Sequence, residues 1–419
     1  MGRRDRVTST DYERPHRPLP VRLLNALGGS SGRSGPSRRL DVDALLEHAR
    51  RKTGLADFGD DGHAEALHVL VDSINEEARL TATGRLLQKS RLAGALVQRL
   101  RIEDLLRRHP EIHEIELGTI ILVTGLQRTG TTLLHRLLNS HPAIRGLSGS
   151  EVLDPVPAGG MRGRAAVARR LRPLLVQRAI SYLSPEFMAV HPVDHAGPEE
   201  DVMLLDLNFM SQAPEAMMHV PGYSRWLEEQ DHTRAYAYFR TVLKILCWQR
   251  PGRLWVLKTP HHMEYMDIVL KTFPDATIVQ THRDPRKALP SFCSMVAHGR
   301  GIFSDVVDPG EIARHWCRKT RRMVEVTEAA RSGAEPDRFI DVSYYDLIED
   351  PVARLRRLCR RIGIEFDERA ARSAGTYIEA NPQNRFGRHA YRPGDFGLSE
   401  EIIEESFSAY RRKYAIPFE

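Results

Sequence analysis

Residues 119–132 read TIILVTGLQRTGTT, and this stretch restricts the fold of the chain more tightly than any other. The β-branched apolar run 119–124 suits a strand buried on both faces. It runs into the turn Gly125-Leu126-Gln127-Arg128-Thr129-Gly130-Thr131-Thr132 and then into 131–140, where Leu133, Leu134, Leu137 and Leu138 form a helical stripe. A strand that turns sharply into a helix aims the first backbone N–H groups of that helix, and its positive dipole end, at the turn. Such a turn binds anions. The frame is G-x-x-x-x-G-K-S/T, with Thr131 where the lysine belongs. Arg128 supplies the cation instead, with a fork suited to adjacent anionic oxygens, and Thr131 and Thr132 add hydroxyls.

Further strands are predicted at 254–258 (LWVLK), 276–281 (ATIVQT) and 338–342 (RFIDV), with helical segments between them. That alternation predicts an α/β fold: a parallel sheet flanked by helices, like that of P-loop nucleotide-binding proteins. Residues 41–112 are predicted to form a helical region. Asp41 is placed to cap a helix carrying Leu45 and Leu46, and Leu67, Leu70, Val71, Ile74, Leu92, Leu96, Leu100 and Leu105 recur at helical spacing up to Pro110. The remainder, 113–419, forms the main domain, with an insert at about 152–250.

Charge separates the first forty residues from the rest. They hold nine of the 61 Lys+Arg but three of the 55 Asp+Glu, so the remainder carries 52 of each. The basic excess is therefore local, and the neutral body is not expected to bind nucleic acid. With GGSSGRSGPSRR in it, the segment 1–40 is expected to be a disordered basic tail, with an arm making weak contact to a membrane surface or binding a partner as its sharper role. No apolar run approaches the roughly 18 residues of a membrane span, and the Arg-rich start lacks the apolar segment of a secretory signal. Four scattered cysteines without a C-x-x-C pair predict neither a metal site nor a disulfide framework, and suit the cytoplasm.

The loop GLQRTGTTLL resembles the 5′-phosphosulfate loop of sulfotransferases that use 3′-phosphoadenosine 5′-phosphosulfate (PAPS), and it is closest to their arginine-bearing type. Two more segments extend the likeness. Thr281-His282-Arg283-Asp284-Pro285, with Ser291 eight residues beyond Arg283, is similar to the pair that holds the 3′-phosphate of PAPS. Ser291 lies about two turns into the following helix, so its reach to an anion is expected to need a break at Pro290. Tyr344 in Ser343-Tyr344-Tyr345-Asp346-Leu347 matches the tyrosine that approaches the adenine, although Tyr345 replaces the usual Glu. The resemblance thus implies PAPS as cofactor, without a metal, held by Gly125, Gln127, Arg128, Thr129, Gly130, Thr131, Thr132, Arg283, Ser291 and Tyr344. Arg385, His389 and Arg392, in a segment similar to the close of bacterial members, are candidates to cover it.

Sulfuryl transfer to a hydroxyl needs cations on the departing charge and a base for the proton. Arg128 and Lys258, the latter at the end of LWVLK, are the cation candidates. For the base, Glu151 is placed like the catalytic Glu of tyrosylprotein sulfotransferases, and is expected to face Arg128. His262 matches the His of bacterial members. His195 and Glu199-Glu200-Asp201 form a further polar cluster, in which Glu199 or Glu200 could orient an acceptor or a loop arginine. Phe209, Met210, Met217, Met218, Tyr223 and Trp226 make the insert apolar: core, or the wall of a site for a small-molecule or lipid-like hydroxyl acceptor. A nucleotide kinase or NTPase is the first rival, disfavoured by the missing loop lysine. A non-catalytic nucleotide-binding protein is the second.

Overall fold

In this computed structural model, which describes residues 7–29, 39–160, 163–252, 254–382, 385 and 387–419, the predicted strands assemble into one parallel sheet. They are β1 (Thr119–Gly125), β3 (Leu254–Lys258), β4 (Thr277–His282) and β5 (Phe339–Ser343). A two-residue edge strand, β2 (Arg145–Gly146), completes the order β2-β3-β1-β4-β5. Its brevity kept it out of the sequence pattern.

Pairing register places the site. Val123 stands beside Lys258, Gly125 beside Thr281, and His282 beside Ser343, so the carboxyl ends of four strands finish at one level. After the central strand β1 the chain builds β2 and β3 on one side of it, then β4 and β5 on the other. That is the switch point at which open α/β sheets bind ligands.

Strand alternation splits the core into two layers. Ile120, Leu122, Leu257 and Ile278 face a layer built on Tyr236, Phe239, Leu243 and Leu246. Ile121, Val123, Val256 and Val279 face Leu134, Leu137 and Leu138, the leucine stripe of α5 (Thr131–Ser140). Each fully buried Leu or Ile here contributes about 1.5–3 kcal/mol, so the layers lock the strand ends in place.

The helical region comprises α2 (Val42–Thr53), α3 (Gly62–Glu76) and α4 (Ala82–Arg108). Asp41 caps α2, accepting from the Ala44 N–H at 2.7 Å, as its position predicted. These helices share one core with the insert. Leu67, Leu70, Leu96 and Leu100 pack with Phe209, Met210, Met218 and Tyr223, with Met217 and Trp226 at its margin. The apolar insert residues are therefore core.

Residues 7–29 differ from the expected disordered tail. Thr8 exchanges hydrogen bonds with Ala390 at 2.9 and 3.1 Å, and Tyr12 is buried against Phe396 with its hydroxyl on Ser294 at 3.0 Å. The helix α1 (Leu19–Gly29) follows. Composition cannot register these contacts, because each joins positions some 280–380 residues apart. Residues 1–6 and 30–38 of the expected tail lie outside the described residues.

Candidate active site

The loop after β1 is shaped by three residues with positive φ: Gly125 at 143°, Arg128 at 69° and Gly130 at 90°. Space excludes a side chain at Gly125 and crowds one at Gly130. A Cβ on Gly125 would meet the Thr281 hydroxyl at 2.4 Å, and one on Gly130 would press the Tyr344 ring at 3.0 Å. The Thr129 hydroxyl ties the turn internally, at 2.5 Å from the Leu126 carbonyl and 2.7 Å from Thr281 Oγ1. Gln127 turns its side chain away, to Met323. What opens at the strand ends is a cradle of backbone at the start of α5.

Cations converge on that cradle. Arg128 donates from Nε to Ser291 Oγ at 3.1 Å and from Nη1 to the Val190 carbonyl at 2.8 Å. Arg283, leaving β4, donates to the Arg128 carbonyl at 3.1 Å and stacks on Tyr344, 4.1 Å from its centroid. Burial and then the neighbouring Arg283 push the Arg128 guanidinium down from its ordinary value. Two guanidiniums held together against that cost suit an anion with charge to share between them.

Ser291 reaches Arg128 without the expected break, because the helix Pro285–Phe303 runs straight through Pro290. Pro290 is the sixth residue of that helix, past the N–H groups that lack an intrahelical partner, so the helix continues although the Arg286 carbonyl loses its donor there. On the third side, Lys258 is 3.3 Å from Thr132 Oγ1 and forms an ion pair with Glu200. Burial works to raise the Glu200 carboxyl, but Lys258, His191 and the Thr259 hydroxyl together hold it below its ordinary value; burial and then the charge of Glu200 push neighbouring Glu199 up to about 7.

The family model described as "Sulfotransferase family" matches residues 121–368, more than half of the chain. The chain belongs to that sulfotransferase family. Its fold is similar to that of crystal structures of sulfotransferase STF1 from Mycobacterium tuberculosis H37Rv and STF9 from Mycobacterium avium. The first is 32% identical with a TM-score of 0.77, covering 89% of this chain and 99% of that one. The second is 28% identical with a TM-score of 0.82, covering 92% and 100%. Among characterised relatives, the omega-hydroxy-beta-dihydromenaquinone-9 sulfotransferase Stf3 of Mycobacterium bovis is 26% identical over 263 residues, or 58% of this chain. The match spans 62% of the length of that relative.

Against this family background, the residues predicted for the site divide. Gly125, Arg128, Gly130, Thr132, Lys258, Arg283, Ser291 and Tyr344 gather at the strand ends, with Thr131 opening α5. Of the three covering candidates, His389 comes to Ser291, at 3.4 Å, and to Ser294 at 3.0 Å. Arg385 bonds Asn381 instead, and Arg392 is exposed. Exposed His195 bonds Gln177.

The two expected bases stand apart from Arg128. Glu151 sits in the short helix α6 (Gly149–Leu153), where it closes a capping box with Ser148. Its oxygens take Arg145 at 2.7 Å and Arg250 at 3.2 Å, not Arg128 as expected. Burial tends to raise its carboxyl, but the Ser148 N–H and both arginines hold it below the ordinary range. His262 has no exposure, lying 2.9 Å from the Tyr236 hydroxyl and 3.3 Å from Asp201. Glu151→Gln is therefore expected to leave half-buried Arg145 poorly paired and cost about 2–4 kcal/mol. Thermal unfolding should show that loss while turnover per folded molecule stays within about two-fold; an unmoved melting temperature with turnover down 10²-fold would restore Glu151 as base.

Sequence reasoning passed over two features. One is the Val190 carbonyl on Arg128, which no side-chain pattern encodes. The other is Glu419, whose carboxylate takes Arg283 at 2.6 and 2.8 Å. An acidic residue 136 positions away left no signal in the motif.

Proposed function

We propose that this chain transfers a sulfuryl group from PAPS to a hydroxyl on a lipid-like acceptor. One observation carries the reading: Arg128, Ser291 and Arg283 converge on a loop in which Gly125 has no room for a Cβ and Gly130 holds a positive φ. The cradle fits a nucleotide with anionic groups at both ends. The loop backbone, Arg128, Thr131 and Thr132 would hold the 5′-phosphosulfate, Arg283 and Ser291 the 3′-phosphate, and Tyr344 the adenine side. Bound there, the donor supplies an activated sulfuryl group. Lys258 and Arg128 stabilise the charge that leaves with the 5′-phosphate.

Glu200 is assigned as the proton acceptor in place of Glu151 and His262, because it is the carboxylate in contact with Lys258. Glu199, with its raised carboxyl, stands beside it as a proton reservoir. The acceptor class follows from the relatives, which are named for a hydroxylated dihydromenaquinone. A cytoplasmic setting, where the four cysteines stay reduced, goes with this reading.

Thermal unfolding tests the donor site. Saturating 3′-phosphoadenosine 5′-phosphate, at about 100 times its Kd, should stabilise the protein by about 2.7 kcal/mol, whereas ATP with magnesium should shift it little. Stabilisation by ATP alone would favour the kinase or NTPase reading. Stabilisation by the bisphosphate with no transfer from PAPS to any long-chain alcohol would leave a nucleotide-binding protein.

A further inference from the structure

The helix α7 (Gly163–Leu183), GRAAVARRLRPLLVQRAISYL, contains no Asp or Glu and is rich in arginine. It packs one side, through Pro173, against Gly149 of α6. Its other side is exposed among the described residues. Val167, Leu171, Leu175 and Tyr182 recur at helical spacing and are 58, 50, 61 and 52% exposed. At 100° per residue these four fall within about 80° of arc. Exposed Arg170 and Arg172 flank the stripe on its two sides, and exposed Arg178 lies along it. No ion pair joins these three arginines to a carboxylate among the described residues.

A second helix repeats the pattern. In α1, Leu19, Leu23 and Leu27 are 65, 57 and 76% exposed at i, i+4 and i+8, next to exposed Arg22, again without an acidic residue. A cavity of about 190 Å³ is lined by Pro15 and His16, which precede α1, and by Leu183 and Ser184, where α7 ends.

We infer that α7 docks the protein on an anionic lipid bilayer, with the exposed leucines of α1 as a second apolar contact. Charge complementarity selects this occupant. An apolar stripe whose only charged neighbours on its own helix are arginines sinks into the headgroup boundary while the guanidiniums rise to the phosphates. No described helix is long and apolar enough to cross a membrane, so the contact is peripheral. The position also suits the chemistry. After α7 comes α8 (Pro185–Val190), whose last carbonyl accepts from Arg128. Two short steps of chain thus connect the docking face to the sulfuryl site, where a lipid-like acceptor has to arrive. The inference rests on the proposed function only for that purpose, since vesicle binding is read without donor or acceptor.

The full chain is sedimented with vesicles of phosphatidylcholine alone, or with one third phosphatidylglycerol, at low and high salt. Binding to the anionic vesicles that weakens with salt is expected. Arg170→Gln, Arg172→Gln and Arg178→Gln together should lower partitioning on the order of 100-fold. Leu171→Ser with Leu175→Ser should lower it also at low salt, and the Ile pair should restore it. All variants should keep their melting temperature and their turnover of a short, water-soluble alcohol. Absence of vesicle binding, or binding indifferent to both sets of changes, would overturn the proposal. So would a concentration-dependent dimer abolished by the serine pair, which would assign the face to a second copy of the chain.

Discussion

Arg128→Ala is expected to lower turnover by roughly 10³-fold or more, the range for removing a cation that meets charge developing in the transition state. Arg128→Lys should recover little of it. The lysine ammonium cannot meet Ser291 Oγ and the Val190 carbonyl as the guanidinium does at 3.1 and 2.8 Å while also facing two anionic oxygens. Affinity for 3′-phosphoadenosine 5′-phosphate should fall far less, because its 3′-phosphate is assigned to Arg283. Single-turnover rates and calorimetric binding separate the two effects. If Arg128→Ala keeps turnover within ten-fold of the parent, the loop positions the nucleotide without contributing to the transfer.

The second large effect is one of discrimination. Arg283→Ala should weaken binding of the bisphosphate by roughly 10²-fold, as expected for loss of a charge-assisted fork at a phosphate, and should leave adenosine 5′-phosphosulfate almost as good a ligand as PAPS. Glu419 supplies a control of opposite sign. Its carboxylate occupies the Arg283 fork, so a phosphate has to displace it. Glu419→Gln is therefore expected to tighten the bisphosphate several-fold while Arg283→Ala weakens it. Equal preference for PAPS in parent and Arg283→Ala would remove Arg283 and Ser291 from the 3′-phosphate site. Unchanged affinity in Glu419→Gln would mean that the ion pair is broken without cost in solution.

The contrast between Glu151 and Arg128 shows where the sequence stops. Both were placed by motif, and both sit close to the predicted elements. Arg128 lies inside a turn whose conformation is dictated by its own glycines and by the strand and helix either side. Its position therefore follows from local geometry. Glu151 lies eleven residues past α5, on a five-residue helix, and the choice between Arg128 and Arg145 belongs to β2. A two-residue edge strand carries no periodicity to announce it.

By itself, then, the sequence determined the elements whose signals are local. These are the four main strands, the left-handed turn at Gly125–Gly130, the Asp41 cap, and Lys258 and Arg283 at the ends of their strands. Alternation with period two and glycine's access to positive φ act within a few residues, so they can be read directly. Tertiary structure alone decided which partners the charged groups take. It put Glu200 on Lys258 and Glu419 on Arg283, enclosed His262 between Tyr236 and Asp201, and drew Tyr12 under the loop that carries His389. Each pairing joins segments brought together by burial of apolar surface, a force without direction or sequence range. Opposite charges within reach then pair by distance in the folded chain, which the order of residues does not record.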